Sequence, residues 1–200
     1  VANSCRFNDD DSAYMHKTQA DGNQRTFTAS VWVKRSETGT LSSTFMSHDR
    51  SGPRTEFKFY QHKIYFSWNP VGDTWYEYYT TTLYRDTSAW YNIVAAVDTT
   101  QSTNTDRLKI YVNGVSVAFN SSNSLPTENF DTGWNVADNI HAVGRYEAGT
   151  SAYFDGYMAE VCWIDGLQLT PSSFGEFDED SPTIWKPIDV SGLTFGTNGF

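Results

Sequence analysis

Four aromatic rings and a carboxylate stand together at Trp75–Tyr76–Glu77–Tyr78–Tyr79. In a strand, Trp75, Glu77 and Tyr79 point to one side while Tyr76 and Tyr78 point to the other. One set can fill a core, and the other then lies on a surface where rings are not needed for stability. Aromatic planes among polar side chains are what sugar rings stack on, and equally what protein interfaces use. Trp68 and Trp75 flank the loop NPVGDT, an arrangement that sets both at one rim. Ligand platform, subunit contact and plain core are the three readings of Trp68, Trp75, Tyr76, Tyr78 and Tyr79. A second group, His48–Asp49–Arg50 with Arg54, is the one local concentration of positive charge in the sequence. It suits an acidic sugar or a neighbouring subunit's carboxylates; its simpler reading is solvated loop charge.

Other chemistry is thin. The chain has no HExxH, no GxSxG and no phosphate-binding glycine loop, so metalloprotease, serine hydrolase and nucleotide-hydrolysing machinery find no motif. The histidines His16, His48, His62 and His141 lack metal-ligand spacing and read as solvent-facing or core side chains. Two cysteines, Cys5 and Cys162, are too few for a disulfide scaffold. Both sit in strand-like stretches and read as small buried thiols. A bridge is sterically open only if their strands are neighbours.

Strands must position these residues. With 7 Trp, 12 Tyr and 13 Phe, 16% of the chain is aromatic, against only seven leucines, a balance that favours half-buried pleated surfaces over helices. Strand-like runs alternate with turn clusters, the rhythm of a sandwich or jelly roll. In FTASVWVKR (Phe27–Arg35) the residues Phe27, Ala29, Val31 and Val33 share one face. The run from Glu56 to Trp68 reads as a hairpin turning at Gln61–His62–Lys63, with Phe57, Phe59, Ile64, Phe66 and Trp68 as its apolar positions. LKIYVNGVSVAF is another, and its Asn113–Gly114 pair suits the positive φ angles of a type I′ turn. WYEYYTTTLY, WYNIVAAVD, HAVGRY and FDGYMAEVCWID supply further strands. One short helical turn is expected near Pro171–Phe177. The acidic, proline-punctuated DEDSPTIWKP then runs over the surface as an extended strap.

Two hundred residues suffice for one sizeable domain, read as a sandwich over 1–180 with 181–200 as its C-terminal strap. A net charge of −10 and a pI near 4.7 argue against nucleic acid, which needs a basic face, and against anionic membrane surfaces. No apolar run approaches the roughly 20 residues that cross a bilayer. The opening VANSCRF has no apolar signal region, as expected of a mature form, an excised domain or a chain never secreted by that route.

Taken in order, NSCRF, FTASVWVKRS, TSAWYNIVAAVDTT, DRLKIYVNGV, VGRY, FDGYMAEVCWIDGLQLTPSSFGEFDE, IWKP and FGTNGF cover nearly the whole chain. The chain resembles the laminin-G-like (concanavalin A-like) jelly rolls of bacteriophage tail fibres and other virion proteins. The resemblance implies an all-β fold: two curved antiparallel sheets with a concave face and loop-bearing rims. It implies a virion location, other virion subunits or a host-surface glycan as partners, and a homo-oligomer within a larger assembly. Such proteins continue past GTNGF into a further strand, which implies truncation or processing after Phe200. They also place a larger apolar residue where this chain has Cys5.

The wider superfamily includes retaining glucan hydrolases, which project two carboxylates about 5 Å apart from alternate positions of one strand. Glu176, Asp178 and Asp180 in EFDED alternate in this way but precede Ser-Pro and lack a strand-like surround. They read as an exposed acidic strap, not as catalytic residues. Some relatives hold calcium at the rim, which needs six to eight converging oxygens. Asn8–Asp9–Asp10–Asp11 and the Asp98…Asp106 loop are candidates, and ordinary turn chemistry explains them equally. No other cofactor is implied. The expectation is a non-catalytic virion module that binds host carbohydrate through Trp68, Trp75, Tyr76, Tyr78, Tyr79 and Arg50. The alternatives are a structural virion domain packing through its rings and, behind it, a glycan hydrolase.

Overall fold

A computed structural model describes residues 1–49, 54–69 and 74–200. Along the chain run β1 (Cys5–Phe7), β2 (Met15–Thr18), β3 (Thr26–Arg35), β4 (Ser43–Asp49) and β5 (Arg54–Tyr60). They are followed by β6 (Lys63–Asn69), β7 (Tyr76–Thr80), β8 (Tyr91–Asp98), β9 (Leu108–Val112) and β10 (Val115–Ser116). The remainder are β11 (Phe119–Ser121), β12 (Ile140–Val143), β13 (Gly156–Asp165), β14 (Gly175–Phe177) and β15 (Trp185–Pro187). Two antiparallel sheets form the sandwich: six strands in the order β1-β13-β3-β8-β9-β10 and seven in the order β11-β7-β6-β5-β4-β12-β2. The pair β14-β15 is separate.

The period-2 pattern builds the core. Phe27, Ala29, Val31 and Val33 of β3 meet Phe57 and Phe59 of β5 and Ile64, Phe66 and Trp68 of β6 in one buried cluster. At one end Trp134, carried on a loop, stacks on Phe66 at 5.5 Å and on Trp163 at 4.8 Å. His48 and His141, opposite each other on β4 and β12, lie 4.4 Å apart beside it. Both rings are buried, which corrects the solvated-loop reading of His48. Burial pushes His48 down to about 4 and His141 well below the ordinary histidine value.

The chain after β13 crosses the outer face of the six-stranded sheet. Phe174, Leu169, Val190, Leu193 and Phe195 cover Val94, Cys162 and Ile164. Thr28 Oγ1 donates to the Leu167 carbonyl at 2.7 Å, and Trp185 Nε1 donates to Asn92 Oδ1 at 3.0 Å. The expected helical turn over 171–177 is a 3-10 turn at Pro171–Ser173 only. Gly175–Phe177 is instead a strand paired with Trp185–Pro187. Cys5 and Cys162 are free thiols, and Cys5 is exposed, not buried as expected. Their strands are indeed neighbours, but Cys5 stands opposite Met158. Four residues at about 3.3 Å each then separate the thiols along the ladder, beyond the Cα reach of a bridge.

Candidate functional site

With the six-stranded sheet covered by the strap, the outer face of the seven-stranded sheet is the candidate surface. Alternation sends Phe57, Phe59, Ile64, Phe66, Trp68 and Tyr78 to the core, and it sends Glu56, Lys58, Tyr60, Lys63, Tyr65, Ser67, Glu77 and Tyr79 the other way. Strand register aligns these in rows. One row runs Tyr79–Tyr65–Lys58–Thr44, and the next runs Glu77–Ser67–Glu56–Ser47–Ala142–His16. From β7 to β2 the second row spans about 24 Å at ordinary strand spacing.

The first row carries an aromatic ladder. Tyr65 stacks on Tyr79 with centroids 5.0 Å apart and meets Tyr60 edge-on at 5.5 Å. Lys63 Nζ lies 5.0 Å from the Tyr79 centroid, and Lys58 Nζ lies 5.7 Å from that of Tyr60. Such contacts fix the rings without filling a core. Burial of Tyr65 between its neighbours, reinforced by Glu77, raises its phenol above the ordinary range. The second row is polar yet enclosed. Ser67 and Ser47 are fully buried and Glu56 is nearly so. Glu56 is held by Lys58 Nζ at 2.6 Å and by the Thr44 hydroxyl at 3.3 Å. Removing two charges from water is costly unless each finds the other and further hydrogen bonds, and this pair meets both conditions.

Beyond β12 the loop to β13 closes against the same face. Ser47 Oγ donates to the Arg145 carbonyl and accepts from the Glu147 amide, each at 2.9 Å. Arg145 pairs with Glu147 at 2.7 Å, and its guanidinium sits 3.5 Å from the Tyr14 ring centroid. Tyr146, in the same loop, is pushed up to about 12 by burial and by the charge of Glu56.

The expected site residues divide. Glu77 and Tyr79 do face away from Tyr76 and Tyr78, as period 2 requires. Trp68 and Tyr78 are fully buried, so neither can serve as a ligand platform. Trp68 closes the inward series Ile64–Phe66–Trp68 and packs 4.9 Å from Tyr78. Tyr76, half-buried, belongs with them, 5.4 Å from Phe130. Trp75 precedes β7, half-buried, and its carbonyl accepts from Ser122 and Asn123. Arg50 lies outside the described residues. Tyr60 and Tyr65 were missed as site residues. The alternation of the hairpin already placed them opposite its phenylalanines, and that was the available signal.

The other candidates are bound up locally. Glu176 and Asp178 each lie 3.4 Å from Lys186 across the β14-β15 pair. Glu176 and Asp178 thus converge on an ammonium group that neutralises them. Asp98 accepts from Thr26, Thr100 and Gln101, and Asn8 donates to Asp11 at 2.6 Å. Among the described residues, no three His, Cys, Asp or Glu are grouped to hold a metal ion, so the calcium loops do not fit the ion as a set.

A family described as the concanavalin A-like lectin/glucanases superfamily matches residues 7–171. No curated protein matches. Among solved structures, domain 4 of an extracellular GH43 arabinanase from Geobacillus stearothermophilus, in complex with arabinotriose, is 19% identical with a TM-score of 0.56. That likeness covers 80% of this chain and 69% of the other. The full-length tailspike protein 2 of Escherichia coli O157:H7 bacteriophage CAB120 is 10% identical with a TM-score of 0.57, over 86% of this chain and 23% of its own. Domains LG4-5 of the mouse laminin alpha1 chain are 15% identical with a TM-score of 0.52, over 82% and 41%. The chain thus spans less than half of the tailspike and laminin chains. At these identities the likeness is one of fold.

Proposed function

The chain belongs to the concanavalin A-like lectin/glucanases superfamily, and from that premise we propose that it is a non-catalytic carbohydrate-binding module whose binding surface is the outer face of the seven-stranded sheet. The observation that carries this reading is the Tyr60–Tyr65–Tyr79 ladder beside a row of enclosed polar side chains. The half-exposed rings of Tyr60 and Tyr79 supply stacking surface, and the half-exposed Lys63 and Glu77 beside them supply directional hydrogen bonds, the two elements that recognition of a sugar requires. Of the expected residues, Tyr79 and Trp75 stay in the proposed site, joined by Tyr60, with the buried Tyr65 supporting both tyrosine rings from between them.

Catalysis is not part of the proposal. Glycoside hydrolysis needs one carboxyl group free to give a proton and another free to attack or to activate water. Glu56 is spent on Lys58, and Glu147 on Arg145. The fold likeness to a phage tailspike supports the finer reading, a module on a virion appendage that meets host-surface glycan in many copies. Multivalency would then multiply weak single contacts.

Binding of the purified chain to a glycan array, followed by titration calorimetry on the hits, tests the proposal. Tyr79→Ala is expected to weaken the best hit about tenfold or more, the equivalent of one lost ring contact. An array without hits, together with an assembled particle in which the ladder is buried between subunits, would replace the proposal with the subunit-packing reading.

A further inference from the structure

The ladder end of the face carries a cation without an acidic partner. Lys63 opens β6 and, among the described residues, has no carboxylate within ion-pair distance; its recorded contact is the Tyr79 ring. The other bases nearby are engaged: Lys58 by Glu56 and Arg145 by Glu147. Among the described residues the face sets Glu56, Glu77, Asp49 and Glu147 against Lys58, Lys63, Arg54 and Arg145. These acids and bases are equal in number, against a net charge of −10 for the whole chain. A face with equal numbers of acids and bases repels an anionic ligand less than a surface of net negative charge does.

We propose that the ladder takes a sugar ring bearing a carboxylate, with Lys63 as the residue that selects it. This rests on the carbohydrate-binding reading above and names the class of sugar. The ring lies against Tyr79, and the carboxylate accepts from Lys63 Nζ, a mobile point charge with three donors. A charge-assisted bond of this kind is stronger than a neutral one. The cation–π contact holds Lys63 near the ring in the absence of ligand and is weak enough to be exchanged. Hexuronic and nonulosonic acids share the required chemistry.

Titration calorimetry on the full chain tests this with sialyllactose, a trigalacturonate, lactose and a carboxyl-reduced trigalacturonate. The wild type is expected to bind one acidic probe about fivefold to tenfold tighter than its neutral counterpart. The preference should shrink as salt rises from 50 to 500 mM. Lys63→Gln should cut the preference to about twofold or less by weakening the acidic probe more than the neutral one, and Lys63→Arg should keep it. Whichever acidic probe is preferred identifies the source of the carboxylate. Equal binding of acidic and neutral probes, or a Lys63→Gln loss shared equally by both, overturns the inference and leaves the binding function standing. Absence of binding to these probes, with a neutral array hit still lost in Tyr79→Ala, does the same. Absence of binding to any glycan overturns both.

Discussion

Tyr78 and Tyr79 are neighbours in the chain and lie on opposite faces of β7, so their substitution separates stability from binding. Tyr78 is fully enclosed, with its hydroxyl donating to the Ser124 carbonyl at 3.1 Å. Tyr78→Ala is expected to cost about 3–5 kcal/mol in urea denaturation. Tyr79→Ala, on the half-exposed ladder, should change stability by about 1 kcal/mol or less while weakening glycan binding about tenfold or more. The Glu56–Lys58 pair behaves differently from either. Lys58→Met leaves a carboxylate enclosed without its counter-charge, and about 3 kcal/mol is expected to be lost. The double variant Glu56→Gln with Lys58→Met should recover most of that, which the same denaturation series measures as a coupling energy.

At the scale of elements, two tight hairpins show the same geometry written in different residues. Asn113–Gly114 joins β9 to β10 with φ of 48° and 79°, and Gln61–His62 joins β5 to β6 with φ of 49° and 64°. The first pair is suited to this backbone and was legible from the residue types alone. The second is not, because a side chain at positive φ is strained. It was legible only from the apolar alternation on either side. His62→Gly is accordingly expected to raise stability by about 1 kcal/mol, seen as an upward shift in Tm. Gly114→Ala should do the reverse, by about 2 kcal/mol or more. A Cβ there would stand 2.5 Å from the Trp185 ring as well as at positive φ. Since Trp185 anchors the strap through Asn92, increased protease sensitivity over 178–187 should accompany that loss.

Over the whole molecule, the paired histidines make the sandwich acid-labile. His48 and His141 are buried neutral, with proton affinities far below those of an unfolded chain. The folded-state values lie below the unfolded value, so the stability they contribute is complete above about pH 6.5 and is lost as pH falls toward 4. Each contributes a slope of up to about 1.4 kcal/mol per pH unit within that window. Guanidinium denaturation at pH 7.5, 6.0 and 5.0 should show the fall, and His141→Phe should flatten it by about half. A flat profile between 7.5 and 5.0 would mean that the ring pair opens to water.

The sequence by itself determined the class of fold and most of its strands, because a period of two in apolar residues is a local property with one structural consequence. It determined that Phe27, Phe57, Phe66 and their in-phase neighbours share one face of their strands, and that Glu77 and Tyr79 face away from Tyr78. It placed Trp68 and Tyr65 on opposite faces of β6 but did not show which of those faces is core. Both are aromatic residues of one strand, and which face meets water depends on what packs over each sheet. Nor could it place β2 or β4, whose residues make sense as strands only beside β12. The shift of the candidate site from Trp68 and Tyr78 to Tyr60, Tyr65 and Tyr79 was decided by tertiary structure. A strap of some thirty residues seals one sheet, register brings tyrosines of three strands into one stack, and both arise from contacts between residues distant in the chain.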